Sequence, residues 1–360
     1  MKKTIALLLC LSLFCCLIPA FCESVELTGK VAKINKYGHA MLDITIEAME
    51  NAGIVLGDVV TVKVNGFEGD MPYLNGYYVD RDETLVLASP GHSDISVCFN
   101  YGNFSEATGA AVGDPVTITL KEKAGALTLQ EINNLVYSDA RDDYASDEIF
   151  ANFRAAIDGK LYRSASPIDN QHNRAATSNR LNEAAGVKSV MNMSDTEEEA
   201  QALLAVEDFD SPYYKALYEE GNVVALGMSI DFISDAFANG IVKGFTFLSE
   251  HETPYLVHCV EGKDRTGYAV MLLEMLAGFD TDAIIADYMT TYVNYYGIEV
   301  GSEKYDMLAE KNIKEMMRTV AGLEKGADLE GIDWQAAGEQ YLLSIGMDAE
   351  AVSRLKANLL

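Results

Sequence analysis

Ten residues in the last third of the chain constrain its fold more than any others: the segment HCVEGKDRTG, residues 258–267. Before it, residues 255–257 are apolar and follow Pro254, a pattern typical of a short buried strand. After it, residues 268–276 are almost all apolar and end near Gly278, which predicts a buried helix. The segment, called the signature loop below, therefore predicts a strand, a tight loop and a helix in succession.

A loop in that context is suited to hold a phosphate group. Successive backbone N–H groups before a helix can point toward one spot, and the helix dipole adds positive potential there. Arg265 follows Cys259 after five intervening residues, where its planar guanidinium can bind two phosphate oxygens at once. The same potential favours the thiolate of Cys259, the attacking form of a cysteine. The spacing indicates a nucleophile beneath a bound phosphoryl group; the alternative is a lone buried cysteine beside a helix start.

The signature loop, with its ending GKDRTG, resembles the loop of the cysteine-dependent protein-tyrosine-phosphatase superfamily, in particular that of the bacterial tyrosine and dual-specificity branch. The resemblance covers residues 147–360 and includes the segment LYRSASP at 161–167. It implies an α/β sheet flanked by helices, hydrolysis of phosphoric monoesters through a phosphocysteine, and no metal or other cofactor.

The resemblance also implies roles for individual residues. Cys259 is the expected nucleophile, Arg265 the expected phosphate ligand, and the hydroxyl of Thr266 is expected to stabilise the leaving thiolate. Arg163 either supports the loop from beneath or approaches the substrate, and a salt-bridged surface arginine is the alternative. The residues expected to bind substrate or to order the loop around it are His258, Val260, Glu261, Gly262, Lys263, Gly267 and Arg163.

Two aspartates compete for the role of general acid. Asp264 lies inside the signature loop, and the resemblance implies that this branch uses the aspartate of its loop. Asp231 lies upstream on the segment 228–232, where related phosphatases carry a mobile loop with the acid, although no Trp-Pro-Asp sequence stands there. We favour Asp264 and keep Asp231 as the alternative.

We rank three classes of substrate by the charges of the signature loop. Phosphotyrosine in proteins comes first, with dual specificity, then phosphoinositides, then inositol polyphosphates. Lys263 favours an additional phosphate, as in phosphoinositide-directed relatives, whereas Glu261 opposes it. A binding module that kept the phosphate pocket without turnover is a further alternative, which the intact Cys259, Asp264 and Arg265 disfavour.

Residues 23–123 predict a small all-β domain, barrel-like or a sandwich, because runs of alternating or β-branched residues are separated by turn sequences. The segments VAKINKYGH at 31–39, NYGN at 100–103 and GDPV at 113–116 resemble the C-terminal β-domain of the S-adenosylmethionine hydroxide adenosyltransferase family. In that family the domain helps to hold an adenosyl group beside an α/β domain that no stretch of this sequence resembles. The implied alternative function is adenosyl binding.

Four segments follow in the predicted order: a signal peptide at 1–22, the β-domain at 23–123, a connector at 124–146 and a phosphatase domain at 147–360. The connector is expected to be helical over 127–137. Strands and helices alternate in the last segment, which argues for an α/β sheet with the signature loop at the carboxyl end of a strand.

Residues 1–22 predict a cleaved signal peptide. Lys2 and Lys3 precede an apolar stretch slightly short for a membrane span, and Ala20 and Cys22 are small residues ahead of a cleavage site before Glu23. A lipoprotein signal is a poorer match to these residues. We expect a secreted or extracytoplasmic protein with no transmembrane span in its mature chain.

Composition excludes two further features. The formal net charge of −28 disfavours binding to nucleic acid or to anionic bilayers. Of the six cysteines, Cys98 and Cys259 follow the predicted signal peptide, which is no basis for a disulfide framework. The resemblance to phosphatases implies phosphorylated proteins or phosphoinositides as partners, and a free thiol at Cys259, the expected nucleophile.

Overall fold

A computed structural model describes residues 25–206 and 211–360, so the predicted signal peptide lies outside the described residues. The chain forms two compact units that divide between Glu131 and Ile132, within the predicted connector. Across the described ranges, no helix combines the length and the apolar character needed to cross a membrane. The predicted domain limits remain predictions.

The first unit is a closed β-barrel. Its strands are β1 (Glu26–Ile34), β2 (Ala40–Thr45), β3 (Val59–Val64), β4 (Phe67–Leu74), β5 (Thr84–Leu87), β6 (Asp94–Phe99) and β7 (Pro115–Glu122). They follow the order β1-β2-β6-β5-β4-β3-β7, and β4 pairs with β5 in parallel. Along β3 the alternate residues Val60, Val62 and Val64 are buried in the barrel core. The predicted small barrel is confirmed.

Two short helices, which the prediction of an all-β domain did not include, lie between strands of the barrel. Thr45 begins α1 (Ile46–Asn51) and Asn103 begins α2 (Phe104–Thr108), each by accepting a backbone N–H with its side-chain oxygen. Neither helix exceeds two turns, which is too short for a helical period to stand out in the sequence.

A third helix, α3 (Leu127–Ile132), follows the barrel strands and ends five residues before the predicted limit. Asn133 and Asn134 come next, and asparagine favours turns over helix interiors because its side chain competes for backbone hydrogen bonds.

A five-stranded sheet forms the centre of the second unit. Its strands are β8 (Arg154–Ile157), β9 (Leu161–Ser164), β10 (Ser189–Asn192), β11 (Val223–Ala225) and β12 (Tyr255–His258). They lie in the order β11-β10-β12-β9-β8, parallel except for β8 at one edge. His258 pairs with Asn192 on one side and with Ser164 on the other, so these carboxyl ends meet at one edge of the sheet.

Helices pack around this sheet, and the most buried of them is the helix Asp264–Leu276, whose residues 266–276 are all buried. The helices are α4 (Asp147–Phe150), α5 (Ala175–Ala184), α6 (Glu197–Leu204), α7 (Pro212–Glu219), α8 (Asp235–Glu250), α9 (Asp264–Leu276), α10 (Thr281–Tyr296), α11 (Glu303–Ala309), α12 (Glu315–Ala321), α13 (Trp334–Ser344) and α14 (Ala349–Leu359). A 3-10 turn at Arg141–Asp143 and a π-helical turn at Glu310–Lys314 complete the described elements. The predicted α/β sheet with flanking helices is confirmed.

The helix that precedes β12 is amphipathic. Ser234 caps the N-terminus of α8 by accepting the N–H of Phe237 with its side-chain oxygen. The side chains that form its apolar face are all buried: Phe237, Ile241, Phe245 and Leu248.

Candidate active site

The signature loop connects the central strand of the sheet to its most buried helix. β12 ends at His258 and α9 begins at Asp264, so Cys259 and the four residues after it form the turn between them. The predicted succession of strand, loop and helix is confirmed. The loop therefore lies at the carboxyl edge of the sheet, where ligands bind in open α/β folds.

The carbonyl groups of this turn point away from its centre. Three consecutive carbonyls accept hydrogen bonds from other segments: Val260 from the N–H of Ser166 (3.0 Å), Glu261 from the hydroxyl of Tyr295 (2.8 Å) and Gly262 from Nη2 of Arg163 (2.8 Å). Among the hydrogen bonds of the described residues, none is donated by the backbone N–H groups of residues 260–263. Outward carbonyls and unpaired N–H groups before a helix are the arrangement that binds an anion.

Two glycines of the loop are required by close approaches of other segments. Gly262 has a φ of +67°, and a Cβ there would lie 2.3 Å from the carbonyl oxygen of Ser164. A Cβ on Gly267 would lie 2.5 Å from the ring of Tyr288 in α10. Because both glycines lack a side chain, the backbone of the signature loop can pack closely against Ser164 and Tyr288.

Arg163 lies buried beneath the loop. One nitrogen of its guanidinium donates to Gly262 O, and another, Nη1, contacts Oδ2 of Asp287 at 2.6 Å. Arg154 binds the second carboxylate oxygen of Asp287 at 2.7 Å. Although burial disfavours its charge, Arg154 and Arg163 lower the pKa of Asp287. Of the alternatives for Arg163, the geometry favours support of the loop over contact with substrate or a place on the surface.

A cavity of about 220 Å³ opens over the loop. The residues that line it are Gln171, Ile230, Cys259, Val260, Glu261, Asp264 and Arg265. Five of these were predicted from the sequence, and Cys259 and Arg265 share the cavity as their spacing suggested. The predicted residues Arg163, His258, Gly262, Thr266 and Gly267 are buried around it. Asp231 is exposed, next to the lining residue Ile230.

Arg265 ties the loop to two neighbouring segments. Its Nη1 donates to the carbonyl of Met228 at 2.8 Å and approaches the carbonyl of Met193 at 3.5 Å. Met193 directly follows β10, and Met228 lies a few residues after β11. These contacts hold the guanidinium at the wall of the cavity that contains Cys259.

The two candidate acids lie in different surroundings. Burial raises the pKa of Asp264, and Glu261 adds to this rise, whereas Lys263 and Arg265 oppose it. A carboxyl group whose pKa is raised keeps its proton to higher pH, as a general acid requires. Asp264 lines the cavity, while the side chain of Asp231 is exposed on the neighbouring loop.

His258 and Thr266 are buried on either side of the nucleophile. The pKa of His258 is lowered to about 4, mainly by burial and to a smaller extent by Arg265, while Asp195 and the hydrogen bond to Cys259 oppose the shift, so the ring is neutral at pH 7. Its Nδ1 lies 3.4 Å from the carbonyl oxygen of Cys259. Within the described residues Thr266 Oγ1 is buried without a hydrogen-bond partner, which leaves this hydroxyl able to donate.

Lys263 turns away from the cavity. Its Nζ lies 3.5 Å from a carboxylate oxygen of Glu261, 3.6 Å from one of Asp264 and 3.3 Å from the hydroxyl of Tyr296. Burial opposes its charge, but the carboxylate of Asp264 raises the pKa of Lys263. The acidic side chains of Glu261 and Asp264 therefore compete with any second phosphate for the ammonium group of Lys263.

A family model describing tyrosine phosphatases matches residues 151–360. The chain belongs to the tyrosine phosphatase family. A curated relative is the triple specificity protein phosphatase PtpB of Mycobacterium tuberculosis, 28% identical over 123 residues, or 30% of this chain. The chain spans 44% of that relative's length.

Two solved structures show weaker likenesses. The core catalytic domain of the PP-IP phosphatase SIW14 from S. cerevisiae, solved with citrate, is 20% identical, covers 48% of this chain and 91% of its own, and has a TM-score of 0.28. An uncharacterized conserved protein from Thermotoga maritima is 24% identical, covers 27% of this chain and 36% of its own, and has a TM-score of 0.25.

This tyrosine phosphatase family member holds its loop with residues that the sequence did not single out. Asn152 donates to Gly262 O at 3.1 Å, and Tyr137 donates its hydroxyl to Oε1 of Glu261 at 2.8 Å. Gln171 and Ile230 line the cavity itself. No local pattern marks any of them, because their importance arises from contacts with residues far away in the chain.

We expect Arg163→Met to weaken the contacts that hold the signature loop, while Cys259, Asp264 and Arg265 of the cavity stay unchanged in sequence. The substitution removes the donor to Gly262 O and leaves Asp287 with one guanidinium partner instead of two. Breaking a buried ion pair costs about 3–5 kcal/mol, so both the free energy of unfolding and the affinity for inorganic phosphate should fall. Urea unfolding followed by the fluorescence of Trp334, together with phosphate titration, measures both.

The matched control for Arg163→Met is Arg180→Met. Arg180 pairs with Asp147 on the surface and its side chain is 57% exposed. An exposed ion pair contributes about 1 kcal/mol or less, so this variant should unfold and bind phosphate almost as the wild type does. Equal effects of the two substitutions would refute the supporting role of Arg163.

Proposed function

We propose that this chain is an exported phosphatase that hydrolyses phosphomonoesters through a phosphocysteine, with protein phosphotyrosine as its principal substrate and dual specificity within its range. The observation that carries the proposal is the cavity that Cys259, Asp264 and Arg265 line together, beside backbone N–H groups that donate no hydrogen bond within the described residues. Membership of the tyrosine phosphatase family supports it.

In the first step the thiolate of Cys259 attacks the phosphorus atom. An S–P bond forms while the P–O bond to the leaving group breaks, and the departing oxygen takes the proton of Asp264. Arg265 and the N–H groups of residues 260–263 hold the equatorial oxygens, where charge is spread in the transition state. The raised pKa of Asp264 supports its role as the proton donor.

In the second step water releases the phosphate. Asp264, now a carboxylate, takes a proton from the water molecule as its oxygen attacks the phosphorus, and the S–P bond breaks. The pair of electrons returns to the sulfur of Cys259 as a thiolate. Thr266 Oγ1, buried without a partner among the described residues, is the hydroxyl group that stabilises this charge.

Phosphotyrosine ranks above phosphoinositides because of the charges around Lys263. Glu261 and Asp264 both lie within 3.6 Å of its Nζ, which disfavours a second phosphate beside the first. The name of the curated relative, a triple specificity protein phosphatase, supports activity on proteins and a range wider than tyrosine. If the protein released phosphate preferentially from short-chain phosphoinositides, lipid headgroups would replace phosphotyrosine as its principal substrate.

We expect Cys259→Ser to abolish turnover of a phosphotyrosine peptide while phosphate binding persists. A serine hydroxyl is a far weaker nucleophile than a thiolate, and loss of a nucleophile lowers kcat by as much as about 10⁶-fold. Phosphate release in the presence of a chelator measures turnover, and titration with inorganic phosphate measures binding. Cys98→Ala, which changes the other cysteine of the described residues, should keep activity. Turnover surviving in Cys259→Ser would exclude the phosphocysteine.

We expect Asp264→Asn to slow alkyl phosphates much more than activated aryl phosphates. A nitrophenolate leaves without a proton, whereas an alkoxide needs one, and general acid catalysis contributes about 10²–10⁴-fold. Because burial raises the pKa of Asp264, kcat/KM for an alkyl phosphate should fall as the pH rises through that pKa. The variant should lack this alkaline limb. An equal loss on both substrates would transfer the role to Asp231, for which Asp231→Asn is the paired variant.

Export rests on the pattern of residues 1–22 and predicts a mature chain that begins near Glu23. The measurement is N-terminal sequencing of the protein recovered outside the producing cells. A chain that retains Met1, or one found with the cytoplasmic fraction, would contradict export. A lipid-modified N-terminal cysteine would identify a lipoprotein.

A further inference from the structure

Ile230 occupies an unusual place beside the candidate active site. It lines the same cavity as Cys259 and Arg265, yet 68% of its surface is exposed to solvent. A single exposed isoleucine is ordinary on a protein surface. One exposed at the wall of a reactive cavity presents an apolar surface that a bound substrate can cover.

The segment that carries Ile230 is fixed on both sides of it. The carbonyl of Met228 accepts the hydrogen bond from Arg265 at 2.8 Å. The ring of Phe232 stacks on Tyr268 of α9, with centroids 5.3 Å apart and an interplanar angle of 8°, and meets Phe237 edge-on at 5.1 Å. These contacts hold Ile230 in position without burying it, so no ordering of the segment need accompany binding.

The other side chains around the cavity give it two unlike sides. Gln171, Glu261 and Asp264 are polar or acidic, whereas Ile230 and Val260 are aliphatic. A phosphate ester enters with its phosphate toward Cys259 and Arg265, which leaves its organic group among the outer side chains. An aromatic ring gains free energy by covering aliphatic surface, while the single methylene of a serine ester offers little to cover.

We propose that Ile230 determines specificity for aryl over alkyl phosphate esters by packing against the aromatic ring of phosphotyrosine. The inference rests on the proposed function, since it assumes that phosphate binds at the signature loop. The part of the substrate recognised in the outer cavity is the aromatic ring, and the residue that recognises it, Ile230, lies outside the signature loop.

The test compares two ligands that share a phosphate and differ in their organic group. Binding of phenyl phosphate and methyl phosphate is measured by calorimetry on the full chain carrying Cys259→Ser, so the result does not depend on turnover. Adding Ile230→Ser should weaken phenyl phosphate about tenfold, the scale set by small apolar groups in binding pockets, and leave methyl phosphate unchanged. The same substitution in the active chain should raise KM for a phosphotyrosine peptide more than it lowers kcat.

Ile233→Ser is the matched control. Ile233 lies three residues along the same segment and is 87% exposed, but it is not among the side chains that line the cavity. It should leave the binding of both ligands unchanged. Equal weakening of both ligands by Ile230→Ser, no weakening, or the same effect from Ile233→Ser would each overturn the inference. Failure of both ligands to bind before Ile230 is changed would overturn the proposed function and the inference with it.

Discussion

The candidate site depends on hydrogen bonds that draw the carbonyl groups of the signature loop outward. Arg163 is central to them, because one buried guanidinium binds both Gly262 O and the carboxylate of Asp287. Burying this charge is costly, and Asp287, shared with Arg154, offsets the cost. The N–H groups of the turn can converge on an anion only while their carbonyls are held elsewhere. The buried cluster of Arg154, Arg163 and Asp287 thus holds the loop in the conformation that an anion would need.

Buried polar atoms without partners among the described residues gather around this loop. They are Nε of Arg163, Nε2 of His258, Oγ1 of Thr266 and Oε1 of Glu274, with Tyr73 and Asn182 elsewhere. Such atoms are rare in folded proteins because each forfeits hydration without a compensating bond. Burial raises the pKa of Glu274 well above its usual range, and Asp287 adds to this rise while Arg163 and Arg154 oppose it. In the second unit, most of these unfavourable desolvated atoms belong to residues that surround the candidate site.

The parts of the site that are local in sequence could be predicted, and the parts assembled by tertiary contacts could not. Strand β12, the turn and α9 follow from apolar runs on either side of a ten-residue motif, and Cys259 with Arg265 follows from their spacing. Arg163 was recognisable as a candidate, but its place beneath the loop depends on Asp287, more than a hundred residues away. Asn152 and Tyr137 reach the loop across similar separations, and nothing in their own neighbourhoods indicates it.

The negative net charge of the chain does not prevent the positive potential of the loop from attracting an anion, because the two act over different distances. A net charge of −28 lies largely on side chains in solvent, where salt screens it within about 10 Å. At the loop, Arg265, the dipole of α9 and the backbone N–H groups are placed to act on the proposed phosphate at hydrogen-bond distance, where screening by salt is weak. Glu261 lies at the same cavity, where its carboxylate repels further negative charge. The proposed preference for one phosphate over a ligand that carries several rests on this same small set of residues.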